Sequence, residues 1–114
     1  MLDIKETEVD GVVTFALTGT FDLYFAPELD ELFELRYKDG KKKFIIDIGG
    51  LELIDSSGLG ILLKLHSFLE EREGRLCVIG GVGSVARIFQ LTNLDQRMIV
   101  LKDHDQAMRV MDKL

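Results

Sequence analysis

Two nearly continuous apolar runs, "FIIDI" (44–48) and "LCVI" (76–79), are each followed by a longer segment of helical period. A short run with so little polar alternation is a strand covered on both faces, and that in turn calls for helices packed on a largely parallel sheet. The segment after the first run carries a stripe of Gly58, Leu62, Leu65 and Leu69. The segment after the second is "SVARIFQLTN", which Asn93 is placed to end. Upstream, "LDIKETEV" and "VVTFALTG" flank Asp10-Gly11, the signal of a tight hairpin, with Val13, Phe15 and Leu17 on one face. "APELDELFELRYKDG" has Pro27 at a helix start and Gly40 beyond its end. "RMIVL" is a last strand, and Asp103 and Gln106 stand at capping-box spacing before Ala107, Val110 and Met111. The order β-β-α-β-α-β-α-β-α predicts one α/β domain over 1–114. Its mixed sheet is mostly parallel, with an N-terminal hairpin at one edge and about four packed helices.

Composition removes several function classes. The 114 residues are 46% hydrophobic and carry a net charge of −6, which argues against a nucleic-acid surface. The one basic run, Lys41-Lys42-Lys43, reads as a solvated turn before a strand. The single cysteine, Cys77, lies within an apolar run and reads as a buried small hydrophobe. Two histidines, His66 and His104, cannot assemble a metal cluster with that cysteine. No signal-peptide pattern and no membrane-length apolar stretch is present, so the expected location is cytoplasmic.

Three motifs carry a possible chemistry. Gly81-x-Gly83-x-x-Ala86 matches a dinucleotide fingerprint and makes a small nucleotide-binding module, using the turn Gly80–Gly83, the alternative reading. Only one strand and one helix follow it, too little to complete such a site. Asp47 sits near the end of a buried strand as a receiver phosphoacceptor would, but the first strand supplies no adjacent acidic pair to hold a cation. No serine lies in a nucleophile elbow. Enzyme activity therefore has no support, and neither a cofactor nor a metal is expected.

One stretch resists a purely structural reading. Asp55-Ser56-Ser57-Gly58-Leu59-Gly60 opens a strong helix with two hydroxyls and two glycines, and each Gly inside a helix costs about 1 kcal/mol against Ala. Asp55 or Ser56 serves as the N-cap, and Gly58 falls on the core stripe. Gly60 points the other way, with Lys64 and Ser67. A hydroxyl at a helix N-terminus faces free N–H groups, which would accommodate a phosphate, and glycines let another protein approach it. Leu59 and Leu63, on the flank, extend the core or offer a partner a small apolar contact.

"LIDSSGLGILL" preceded by "FIIDI", with "LTGTFD" before them and "SVARIFQLTNL" after, resembles the STAS-domain anti-sigma-factor antagonists over essentially the whole chain. The resemblance implies partner switching. The unphosphorylated protein binds an anti-sigma factor that is also a serine kinase, and so frees a sigma factor for transcription. The kinase phosphorylates the serine after the aspartate, here Ser56, and the complex dissociates; a metal-dependent serine phosphatase resets it. The resemblance also implies a chain that is monomeric when free, with no nucleic-acid or membrane partner. The expected partner-binding residues are Asp22, Asp55, Ser57, Gly58, Leu59, Gly60 and Leu63. Thr20, where the family commonly carries an acidic residue, and the lack of a proline before Ser84 are departures.

Overall fold

A computed structural model describes all residues, 1–114. The chain runs β1 (Leu2–Val9), β2 (Val12–Phe21), α1 (Ala26–Lys38), β3 (Lys43–Ile54), α2 (Ser56–Glu70), β4 (Arg75–Ile79), α3 (Gly83–Leu91), α4 (Leu94–Arg97), β5 (Ile99–Leu101) and α5 (His104–Asp112). The five strands form one sheet in the order β1-β2-β3-β4-β5. The β1–β2 pair is antiparallel and the other three pairs are parallel, as the sequence predicts. Asp10 and Gly11 both take positive φ, 52° and 78°, the conformation of a two-residue hairpin turn.

Strand order decides where the helices lie. Each parallel strand is laid beside its predecessor in the same direction, and right-handed crossovers then put every connecting helix on one face. The main core is on that face. It joins Val13, Phe15 and Leu17 of β2 and Phe44, Ile46 and Ile48 of β3 to Leu29 and Phe33 of α1, Leu62, Leu65 and Leu69 of α2, and Val85 and Phe89 of α3. Only α5, which follows the last strand and crosses over to nothing, covers the opposite face. There Ala107 and Met111 pack on Val12, Ile45, Cys77 and Ile79. Consecutive residues of β3 and β4 thus alternate between two cores, which is why their sequences read as unbroken apolar runs. His104 at the start of α5 comes within 3.3 Å of the Thr14 hydroxyl, tying that helix to β2.

Two expectations need correction. There are five helices, because the single turn α4 separates α3 from β5. Asn93 does break the chain, with φ 57°, but a new turn begins directly after it. Four residues are too few to leave a helical period in the sequence. The second correction concerns β3, which is twelve residues long and continues well past the apolar run. Its pairing with β4 stops at Asp47↔Ile79, whereas its pairing with β2 continues to Phe21↔Ile54 through two register shifts. The ends of β2 and β3 therefore project beyond β4, flanked by β1 as far as Leu2↔Gly19, and this extension carries Asp55 and the start of α2.

Candidate functional site

The site is built where β2 ends in the loop to α1 and β3 ends in α2. Asp55 is the N-cap of α2, in extended conformation, and its Oδ1 accepts from the N–H groups of Ser57 (2.9 Å) and Gly58 (3.0 Å). Its Oδ2 accepts the Leu23 N–H at 3.2 Å, and its own N–H donates to the Phe21 carbonyl at 3.3 Å. One carboxylate thus pins the helix start to the neighbouring loop. Asp22 organises that loop from within, its Oδ1 accepting from the N–H groups of Tyr24 (3.0 Å) and Phe25 (3.2 Å). Phe25 packs against the main core and anchors the loop from the other end.

With capping done by Asp55, Ser56 stands exposed at the first position of the helix, its hydroxyl free of that duty. Ser57 and Leu63 are half-buried and Gly60 is exposed; a Cβ built on Gly60 would meet nothing within 4 Å. Nothing in the fold requires a glycine there.

Gly58 and Leu59 fulfil the core half of their reading and little of the partner half. A Cβ on Gly58 would lie 2.5 Å from the Phe21 carbonyl and 2.8 Å from the Phe21 ring, so this glycine lets α2 seat on the end of β2. Leu59 is 9% exposed and belongs to the main core. Both support the site from below and present little to a partner. Asp22 and Asp55 are half-buried; Asp55 spends both carboxylate oxygens and Asp22 its Oδ1 on backbone N–H groups, positioning roles beside which the sequence also allowed direct contact. Sequence reasoning passed over Leu23 and Leu53, which are 66% and 53% exposed; Tyr24, an aromatic that the sequence sets beside Asp22 as a candidate partner surface, is 83% exposed.

The competing motifs take structural explanations. In the turn before α3, a Cβ on Gly81 would press on the Ile48 side chain at 3.2 Å, and Gly83 takes φ +57°. Close packing and a left-handed backbone account for those glycines without a phosphate. Asp47 lies inside the sheet, paired with Ala16 and Ile79, seven residues before β3 ends, and its Oδ1 accepts the Gly49 N–H at 2.9 Å. A receiver-type phosphoacceptor would stand at a strand end. Cys77 is fully buried, and that burial pushes its thiol up to about 11, outweighing the opposing influence of Arg75. A groove of about 400 Å³ between α1 and α2, lined by Phe33, Tyr37 and Phe68 and bridged by the Lys64–Asp30 ion pair, does not include Ser56. No helix is long and apolar enough to cross a membrane.

A strand-to-helix junction with an aspartate cap, an exposed serine and an unexplained glycine is the part of the chain to set against known proteins. The STAS domain family model matches residues 3–107. The chain belongs to the STAS domain family. The anti-sigma-B factor antagonist of Staphylococcus aureus is 27% identical over 99 residues, covering 87% of this chain and 92% of that protein. Among solved structures, an anti-sigma factor antagonist from Mycobacterium paratuberculosis superposes with a TM-score of 0.87 at 24% identity, covering 98% of this chain and 95% of that one. The phosphorylated form of the Bacillus cell fate determinant SpoIIAA gives 0.71 at 21% identity, with 96% and 99% covered. These structural likenesses establish that the STAS fold is shared from end to end.

Proposed function

We propose that this chain is an anti-sigma factor antagonist whose hold on an anti-sigma factor with serine-kinase activity is switched by phosphorylation of Ser56. The observation that carries the reading is the exposed Ser56 hydroxyl at the first position of α2, relieved of capping by Asp55 and followed by a glycine the fold does not need. The relatives named above support it: one is an antagonist of an anti-sigma factor, and SpoIIAA exists in a phosphorylated form.

The physics of the switch is local. A phosphate adds about −1.5 to −2 charges beside Asp55 and Asp22. Within the free protein, the N–H groups at the start of α2 temper that charge. Within a contact surface it must be desolvated or repelled, and a few kcal/mol of lost affinity suffices for release. No change of fold is needed. The chain is then the kinase's substrate and no catalyst, a cytoplasmic protein, monomeric when free and reset by a metal-dependent serine phosphatase. Gly60 and Leu63 lie on the approach to the serine.

The deciding experiment uses tagged wild-type protein and the Ser56→Asp variant as baits in a lysate of the native host. An ATP-binding, kinase-like protein retained by the wild type and lost with Ser56→Asp is the expected result. Equal retention by both baits would rule out Ser56 as the release point.

A further inference from the structure

We propose that Leu23 and Tyr24, with Leu53 beside them, form the apolar anchor by which this chain selects its partner, a protein presenting an apolar pocket rimmed by basic side chains. The inference rests on the reading of Ser56 given above and adds what the partner must look like.

Five large apolar side chains stand in solvent at one end of the sheet: Met1 before β1, Val82 beyond β4, and three that lie within three residues of Asp22 or Asp55. Tyr24 is 83% exposed, Leu23 66% and Leu53 53%. Leu53 pairs with Thr20 on the extension of β2 and β3 that leads into the loop. Such side chains are ordinary when scattered, but Leu23 and Tyr24 lie in the loop that Asp55 ties to α2, and Leu53 stands two residues before Asp55. The loop is also held in place. Asp22 fixes the N–H groups of Tyr24 and Phe25, Asp55 fixes that of Leu23, and Phe25 is moored in the core. A tyrosine displayed on a backbone already fixed loses little freedom on binding, the situation in which an aromatic anchor contributes most. Because Asp55 holds Leu23 and the start of α2 together, the anchor and Ser56 form one rigid surface.

Charge identifies the complement. Residues 6–35, 44–63 and 76–86 contain no Lys or Arg, and they supply the ends of β2, β3 and β4 and the loops beyond them. Asp22, Glu28, Glu52 and Asp55 are the ionisable groups nearest in sequence to the three apolar side chains. The one lysine at this edge, Lys102, follows β5, two strands from β3 and so on the order of 10 Å away. An acidic rim around an apolar centre fits a basic rim around a pocket, and the phosphate's cost to binding is then its desolvation as the apolar contact closes over it.

The test measures affinity and association rate between purified wild-type protein and the kinase-like protein captured by the wild-type bait, prepared separately. Tyr24→Ser and Leu53→Ser are expected to weaken binding about tenfold or more each. Leu35→Ser and Leu91→Ser, exposed at 54% and 69% on α1 and α3, are the controls and are expected to change little. Raising salt from about 0.05 to about 0.5 M is expected to slow association several-fold. Tyr24→Ser and Leu53→Ser binding like the controls, with both folded by circular dichroism, would overturn the anchor while leaving the switch at Ser56 standing. A salt-independent association rate would overturn the basic rim. Sedimentation of the protein alone that shows a dimer abolished by Tyr24→Ser would assign the patch to a second copy and overturn the proposal. A wild-type bait that retains no kinase-like protein would overturn the functional reading itself, and this inference with it.

Discussion

Leu23 donates its backbone N–H to Asp55 Oδ2 at 3.2 Å across a gap of 32 residues in sequence, while the other oxygen of the same carboxylate caps α2. Asp55→Ala removes the cap and the loop clamp together. Loss of an aspartate cap alone costs about 1 kcal/mol, with a range up to about 2. The expected outcome in urea denaturation is a loss toward the upper end of that range. Hydrogen exchange separates the two roles: the Leu23 and Ser57 amides should both lose protection in Asp55→Ala. If Ser57 alone lost it, the carboxylate would be a cap and nothing more.

Gly58 and Gly60, two positions apart on one helix, are expected to respond oppositely to the same substitution. Gly58→Ala gains helix propensity of about 1 kcal/mol. That gain is overwhelmed because the new methyl would press on the Phe21 carbonyl at 2.5 Å, on the Phe21 ring at 2.8 Å and on Ile54 Cγ1 at 3.1 Å. A net destabilisation of about 1–3 kcal/mol is expected, the usual cost of overpacking. Gly60→Ala meets nothing within 4 Å and should stabilise the domain by up to about 1 kcal/mol. Chemical denaturation of both variants checks the pair. A destabilised Gly60→Ala would mean that the fold does require that glycine.

How much of this was legible beforehand depends on the kind of interaction. The sheet was readable because β3 and β4 are buried on both faces and so written as apolar runs, and because Asp10-Gly11 leaves few alternatives to a hairpin. The stripe Gly58, Leu62, Leu65 and Leu69 gave the buried face of α2 correctly. What periodicity could not carry was anything decided by contacts distant in sequence. The extension of β3 to Ile54 depends on register shifts against β2, and Gly49-Gly50 within it reads locally as a turn. Gly58 stands on the buried stripe yet also among the expected partner contacts, and the contact that decides between the two is with Phe21, 37 residues away. Asp55 is a cap candidate in the sequence and Asp22 is not, and only the loop geometry shows Asp22 holding backbone as well.

Cys77 gives a pH signature. Burial raises its thiol from an ordinary value near 9 to about 11, so the folded state disfavours the thiolate. The group's contribution is fully present below the unfolded-chain pKa. It is lost as pH rises toward the folded value, because the unfolded chain releases its proton first. A difference of that size corresponds to about 2–3 kcal/mol by pH 11. Lysines and tyrosines titrate in the same range, so the informative quantity is wild type against Cys77→Ala. The substitution costs stability through lost packing at neutral pH, and the gap between the two proteins should narrow between about pH 9 and 11. A gap constant over that window would mean that the thiolate is accommodated in the fold. In the native protein at pH 8, Cys77 should also react with thiol reagents only as fast as the domain opens.

Ser56→Asp separates a loss of binding from a loss of structure. An acidic residue at the first position of α2 faces the free N–H groups of that helix, an arrangement worth about 0.3–1 kcal/mol at an exposed site. Against this stands the proximity of Asp55, whose charge already occupies the same helix end. The two effects are of similar size and opposite sign, so the unfolding midpoint of Ser56→Asp should lie close to that of wild type. Ser56→Ala, which removes a hydroxyl not used for capping, should be equally stable. On the proposed reading these two variants then diverge in one respect only: Ser56→Ala retains the partner and Ser56→Asp releases it. Urea midpoints measured beside the binding assay check this. A Ser56→Asp protein that released the partner but had also lost stability by more than about 1 kcal/mol would point to damage at the helix start, since a charge acting within the interface leaves the free domain intact.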